Sequence, residues 1–324
     1  MDILLQVLLL VVGFALLIKG ADFFVEGSGS IARKLQIPDI IVGLTIVAMG
    51  TSAPELAVSI SAALGGSSDI AVGNAVGSNI INILVILGLS AVIVPIIVDK
   101  SMFKRDFPAL LLTAVLLPVI AIVFDNQIGL AAGLIFIAIF ALYLFLTVRA
   151  AIAYRKSGAA EGESKIKILP WWQSILYTIG GAAVIVLGGN LSVEAAKKIA
   201  AACGISEAII GLTVVALGTS LPELVTSVVA AKKGSSDIAL GNIVGSNIFN
   251  VLLILGATSI IKPINVASNS IIDMLILLGI TIYLFIVCVT TKKINRVVGV
   301  SFLALYVGYT VYLICFSGQA VPVA

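Results

Sequence analysis

The sequence predicts an all-α polytopic membrane protein, with ten transmembrane helices in two inverted five-helix repeats. Three observations lead there. Of its 324 residues, 60% are hydrophobic and 11% charged, with a mean hydropathy of +1.23, whereas soluble domains carry about one-quarter charged residues. A pair of motifs recurs at one constant offset, and lysines and arginines crowd into alternate loops.

The helices come first. Uncharged segments long enough to cross a bilayer run over 107–124, 128–148, 171–193, 238–261 and 274–291. The first hydrophobic run, 3–18, follows Asp2 instead of a basic segment and leads on without a cleavage site, so it reads as a first span, not a signal peptide. The full set of expected spans is 2–24, 40–64, 70–96, 106–124, 128–149, 171–191, 207–231, 238–261, 270–290 and 297–316. With these in place, fifteen basic residues fall on one side, from Arg33 and Lys34 to Lys292, Lys293 and Arg296. Only Lys197, Lys198 and Lys262 fall on the other, and Lys19 stays inside the first helix. The positive-inside rule makes the rich side cytoplasmic. The chain is then a multi-pass cell-membrane protein with both termini outside.

The repeat comes next. GLTIVAMGTSAPEL at 43–56 matches GLTVVALGTSLPEL at 211–224 in 11 of 14 positions, and DIAVGNAVGSNIIN at 69–82 matches DIALGNIVGSNIFN at 237–250 in 11 of 14. Both use an offset of 168 without a gap, which also pairs Gly20 with Gly188 and Glu26 with Glu194. A register that long marks a duplicated unit. Five spans per unit is an odd number, so the second unit enters the membrane from the opposite side, the construction of many secondary transporters. The expected domains are a first five-helix repeat, 1–150, a cytoplasmic linker, 151–168, and a second, inverted repeat, 169–324. The linker lies in the only long break in hydrophobicity, RAAIAYRKSGAAEGESKIKILP.

The composition excludes several functions. No histidine is present, and Cys203, Cys288 and Cys315 are scattered, so neither a disulfide framework nor a His/Cys metal site is expected. A net charge of +3 is too small to suggest nucleic acid. Nothing points to a cofactor or to an obligatory protein partner; the bilayer is the surrounding medium.

Within the first motif, Pro54 lacks an amide donor and Gly50 loosens the backbone, so the helix should break and release polar groups near Thr51, Ser52 and Glu55. Hydrocarbon cannot satisfy them. Gly218, Thr219, Ser220, Pro222 and Glu223 repeat the arrangement. An isolated carboxylate at that depth costs several kcal/mol, and a cation or proton is its natural companion. In the second motif, Asn74, Ser78 and Asn82 are four apart, as are Asn242, Ser246 and Asn250, so each set forms one polar stripe along a helix. Such oxygens with two carboxylates suit a hard cation. Calcium takes six to eight flexible oxygen ligands, while sodium could use the same hydroxyls, amides and carbonyls. The serines near Glu55 and Glu223 have no His or Lys base beside them, which disfavours a hydrolase. A sodium/calcium antiporter, a proton/calcium antiporter and a passive cation channel all fit these residues.

The four signatures GTSAPEL, GNAVGSNIIN, GTSLPEL and GNIVGSNIFN resemble those of the cation/calcium exchanger family, especially its prokaryotic sodium/calcium exchangers. The resemblance covers nearly the whole chain. It implies a secondary active transporter, not an enzyme, that couples sodium movement to calcium countertransport by electrogenic alternating access. Interrupted ion-binding helices would surround the site. By motif position it implies that Glu55 and Glu223 bind calcium and share in the sodium sites. Thr51, Ser52, Thr219 and Ser220 would be hydroxyl or backbone ligands, and the carbonyls of Ala48 and Ala216 would bind sodium. Ser78 and Ser246 match further sodium-site residues, and Asn82 and Asn250 fill the remaining polar positions. Some relatives carry aspartate at the position of Asn250, so the neutral residue weakens an expectation of potassium dependence. The glycine-rich stretches 20–29 and 188–194 resemble helices that slide against the ion-binding core.

Overall fold

The computed structural model describes residues 3–65, 69–157, 167–203 and 216–316, which are almost entirely helical. Among them, eight helices are long and apolar enough to cross a membrane, and a ninth span is the bent pair Asp39–Thr51 and Ala53–Leu64. In chain order the helices are α1 (Ile3–Leu35), α2 (Asp39–Thr51), α3 (Ala53–Leu64), α4 (Ile70–Ile93), α5 (Asp106–Val123), α6 (Leu130–Ser157) and α7 (Trp171–Ala202). There follow α8 (Ala216–Thr219), α9 (Leu221–Lys232), α10 (Ser236–Ile261), α11 (Ser268–Thr291) and α12 (Arg296–Phe316). Of the expected span 207–231, residues 207–215 lie outside the described set.

Burial sorts these helices into layers. In α10, 94% of the most apolar window is buried inside the protein and in α4 72%, against 22% in α1 and 11% in α12. The central positions therefore go to the two helices that carry the GSN motifs. Peripheral helices turn Leu, Ile, Val and Phe outward, as at Leu4, Val123, Phe145 and Val297, which suits a lipid surround.

Two short antiparallel clips tie the halves together. Strand β1 (Ile96–Ile97), after α4, pairs with β4 (Lys293–Ile294), between α11 and α12. Strand β2 (Gln127–Ile128), between α5 and α6, pairs with β3 (Ile264–Asn265), after α10. Each clip joins a loop of the first half to a loop of the second.

Helices α1 and α7 pack against each other along their whole length, antiparallel, on a ladder of small residues. A Cβ at Gly13 would meet the Gly188 carbonyl at 2.9 Å, one at Gly20 the Gly181 carbonyl at 3.0 Å, and one at Gly27 the Ser174 carbonyl at 2.8 Å. Seven residues separate successive rungs on both helices, so one face of each supplies all of them. Gly13 and Gly20 meet Gly188 and Gly181, and Gly27 meets Ser174 and Thr178, while Gly189 faces Pro222 of the core. Toward the core, Phe24 of α1 lies over Gly50 and Val193 of α7 over Gly218.

Three boundaries depart from expectation for one reason. The added turns carry the charges: α1 continues past 24 through Glu26, Arg33 and Lys34 to Leu35, and α7 continues past 191 through Glu194, Lys197 and Lys198 to Ala202. Likewise α6 runs to Ser157, seven residues into the expected linker. RAAIAYRK holds no glycine or proline, so nothing stops the helix once its charges are out of the hydrocarbon.

Candidate functional site

The breaks occur where the motifs place them. Helix α2 ends at Thr51, Ser52 adopts φ −85° and ψ 7°, and α3 restarts with Pro54 in its first turn, bent by 45°. Ser220 repeats this with φ −87° and ψ 2° ahead of Pro222. Neither proline can donate to the carbonyl four residues back, at Gly50 or Gly218. Just beyond each break, in the first turn of α3 and of α9, stand Glu55 and Glu223, where the helix dipole favours a negative charge.

Both glutamates are 1% exposed and lie close enough to interact electrostatically. Glu223 accepts a hydrogen bond from Ser52 Oγ at 2.9 Å, and Ser52 also lies 3.0 Å from Ser246 Oγ. The break in one half thus reaches the carboxylate of the other. Oε2 of Glu55 and Oε2 of Glu223 are buried without a partner, as are Oδ1 of Asn82 and Oδ1 of Asn250. Four orphaned oxygens form two pairs, each pair 168 residues apart. Ser78 is also buried. The Ala48 carbonyl accepts from Ser52 N at 3.0 Å and from Thr51 Oγ1 at 3.4 Å, and Ala216 stands at the first described residue of α8.

Supporting residues, among them Ser59, Ser227, Asn79 and Asn247, which the motif analysis did not single out, hold this set in place. Asn74 donates to the Glu55 carbonyl at 3.1 Å and to Ser59 Oγ at 2.9 Å; Asn242 donates to the Glu223 carbonyl at 3.5 Å and to Ser227 Oγ at 3.0 Å. Asn74 and Asn242, expected to face the ion on the polar stripes, instead spend their amides fixing the backbone beneath the glutamates. At the centre, Asn79 and Asn247 donate to each other's carbonyls at 3.1 and 3.3 Å. Asn82 donates to Asn247 Oδ1 at 2.9 Å and Asn250 to Asn79 Oδ1 at 3.0 Å. This clasp turns Nδ2 of Asn82 and Asn250 into the protein and leaves their Oδ1 atoms for something else. A signal for Ser59, Ser227, Asn79 and Asn247 was available: each is identical to its repeat partner. Helices α4 and α10 pass into π-helical turns at Asn82–Leu87 and Asn250–Leu255, a feature common at functional sites.

The two halves are not in the same state. On one side, Thr51 Oγ1 reaches Asn242 Oδ1 at 3.1 Å and Ser52 reaches Glu223 and Ser246. Gly43 and Gly241 bring the backbones of α2 and α10 together, so that a Cβ at Gly241 would meet the Ile40 carbonyl at 2.7 Å. On the other side the equivalent bonds are absent among the described residues: Thr219 Oγ1, Ser220 Oγ and Asn74 Oδ1 have no partner there. Among the described residues, a Cβ at Gly77 would meet nothing within 4 Å, although one at its counterpart Gly245 would meet Ala48 Cβ at 2.8 Å. A cleft of about 240 Å³ enters on that looser side, between Pro54, Val58, Gly189, Glu194, Gly218 and Thr219.

Among the described residues, no three His, Cys, Asp or Glu side chains gather, so a bound cation would depend on two carboxylates and neutral oxygens. That is oxygen-only chemistry for a hard ion, with flexible donors better suited to calcium or sodium than to magnesium.

Comparison with known proteins agrees with this geometry. Solved structures of the sodium-calcium exchanger NCX_Mj, soaked in mixtures of Na+ with Sr2+ or Ca2+, superpose with a TM-score of 0.83 in one case and 0.82 in another. Each is 36% identical, the first covering 97% of this chain and 99% of that one. The sodium/calcium exchanger MaX1 of Methanosarcina acetivorans is 34% identical, over 94% of this chain and 97% of its own. The inner membrane protein YrbG of Escherichia coli is 37% identical over 79% and 80%. The pattern described as sodium/calcium exchanger protein matches residues 5–149 and again 173–315. Two matched segments, one around each broken helix, leave no part of the site outside them: the chain belongs to the sodium/calcium exchanger protein family.

Proposed function

We propose that the protein is a sodium/calcium antiporter in which Glu55 and Glu223 together hold the transported ion. The observation that carries this reading is the orphaned set: Oε2 of Glu55 and of Glu223, with Oδ1 of Asn82 and of Asn250, buried without partners. Burying such groups unpaired is costly, and a dehydrated cation satisfies them all at once. Two carboxylates balance one Ca2+ or two Na+. Any further sodium, held by Thr51, Ser52, Ser78 and their counterparts Thr219, Ser220 and Ser246 or by the carbonyls of Ala48 and Ala216, would make the exchange electrogenic. The names of MaX1 and NCX_Mj support the choice of ions.

The unequal halves support alternating access. In this reading the two five-helix halves, 1–150 and 169–324, are oppositely oriented and joined by the 151–168 linker. One facing has the Thr51 and Ser52 bonds made, and the other has their counterparts at Thr219 and Ser220 made instead. Both termini then face outward and the linker lies in the cytoplasm, as the basic residues require, and the cleft opens outward.

Purified protein in sealed vesicles tests the function. Calcium should move against an imposed sodium gradient, in the opposite direction to sodium, and should respond to membrane potential. Glu55→Gln and Glu223→Gln should each abolish this movement while the protein still inserts. Calcium flux that follows a pH gradient and ignores sodium would refute the reading.

A further inference from the structure

An ionic contact joins α1 to the ion-binding core. Lys233, directly after α9, places Nζ 2.8 Å from the Asp22 carbonyl oxygen, 3.4 Å from Asp22 Oδ1 and 3.9 Å from Glu26 Oε2. All three side chains are about one-third exposed or less. The backbone at Lys233 is fixed: its N–H returns to the Val229 carbonyl at 3.0 Å, and Gly234 at φ 81° turns the chain away, as glycine does after a helix end. Ten residues before Lys233, on the same helix, stands Glu223, about 15 Å along the axis. A pull on Lys233 therefore acts on the helix that carries a ligand.

We propose that Lys233, Asp22 and Glu26 form a latch that holds α1 against α9 and so favours the facing in which the Thr51 and Ser52 side of the site is closed. Two further observations support it. The moving part and the frame are separable in the structure: α1 and α7 are interlocked on their glycine ladder, while the clips β1–β4 and β2–β3 and the Asn79–Asn247 exchange tie the core halves to each other. Among the described residues the latch also has no counterpart in the other half. At the repeat offset of 168, Gly65 stands for Lys233 and Asn190 for Asp22. Glu194, which stands for Glu26, pairs instead with Lys197 of its own helix at 3.0 Å. The repeat is symmetrical in its ligands and unsymmetrical in this contact, so the latch biases one facing against the other. Lys233, Asp22 and Glu26 are positioning residues; none belongs to the orphaned oxygen set.

The latch rests on the alternating-access reading, and its test separates the two. In vesicles, half-saturating calcium is measured from each face. Each apparent value is the intrinsic one divided by the fraction of protein facing that side, so the ratio of the two values changes by the factor by which the facing equilibrium moves. Lys233→Gln should shift that ratio about 2- to 5-fold toward tighter binding from the face that the latch closes, in keeping with a partly exposed pair. Lys233→Arg should leave it near the original. Should Lys233→Gln fold poorly, Asp22→Asn with Glu26→Gln should shift the ratio in the same direction by less, because the Lys233 bond to the Asp22 carbonyl remains, and adding Lys233→Gln to that pair should give no more than Lys233→Gln alone. A general loss of stability would alter both affinities together and leave the ratio alone. An unchanged ratio in variants that still exchange sodium for calcium overturns the latch and leaves the function standing. If the original protein shows no coupled exchange, the proposed function falls and the latch with it.

Discussion

The equivalent glycines Gly77 and Gly245 offer a direct test of the two facings, because one is crowded and the other is not. A Cβ at Gly245 would come within 2.8 Å of both the Ala48 Cβ and the Leu44 carbonyl, whereas among the described residues one at Gly77 would meet nothing within 4 Å. Contacts of 2.8 Å are several tenths of an ångström shorter than side chains tolerate, and two backbones must part to relieve them. Overpacking of this kind costs about 1–3 kcal/mol, roughly 5- to 140-fold in an equilibrium. Gly245→Ala should therefore destabilise the observed facing by that amount, lowering Tm and tightening calcium binding from the opposite side. Gly77→Ala should leave the observed facing intact, with an unchanged Tm. If the halves exchange roles, Gly77 becomes the crowded position in the other facing, and Gly77→Ala should slow sodium/calcium exchange while calcium binding from the open side persists. The measurements are Tm of purified protein, calcium binding and exchange in vesicles. Equal loss of Tm in both variants, or full exchange by Gly77→Ala, would refute the reasoning.

Three other perturbations follow from the site. Asn247→Ala removes a donor to the Asn79 carbonyl and an acceptor for Asn82; each group left unpaired costs about 1–3 kcal/mol, visible as a lower Tm. Asn79→Ala added to it should cost less than the sum, since the two share bonds. Asn250→Asp replaces the donor to Asn79 Oδ1 at 3.0 Å with an acceptor, so Tm should fall when no cation is present and recover, at least in part, with calcium or sodium. With Asn250 in place, replacing choline by potassium should not change the rate of calcium exchange.

Much of this molecule could be read from its residues, because the dominant physics is local. Membrane-length apolar runs, the two proline breaks and the depth of Glu55 and Glu223 require only neighbouring sequence and the cost of polar groups in hydrocarbon. What escaped the sequence depends on contacts between distant elements. Helix α1 carries Asp22 and Glu26 inside a span because Lys233, 211 residues after Asp22, stands beside them. The stripe Asn74, Ser78 and Asn82 was legible as polar, yet which oxygen faces the cavity is decided by Ser59 and by Asn247. Asn79, one residue off that stripe, looked unremarkable until the other half supplied its partner. The glycines of α1 and α7 were visible, but their common spacing of seven has meaning only when the helices are laid antiparallel.

Ser52 and Ser220 bring these threads to one comparison. They sit between the same Gly-Thr and Pro-Glu residues, with only Ala53 against Leu221 differing beside them, and are nearly identical in backbone, φ −85° and −87°, so local sequence gives little to separate them. In the structure Ser52 donates to Glu223, while Ser220 Oγ is buried and unpaired. Ser52→Ala would strip Glu223 Oε1 of that donor, and a hydrogen bond to a charged group is worth about 1.5–3 kcal/mol. Ser220→Ala removes an unpaired hydroxyl and should cost this facing nothing. Calcium should reverse the picture: once a cation neutralises the carboxylates, Glu223 no longer depends on Ser52 for compensation, and the two variants should converge in Tm. Convergence requires that the ion sit between the two broken helices. If calcium stabilises the original protein but the gap between the two variants stays the same, the ion is bound elsewhere and the shared site of Glu55 and Glu223 is wrong.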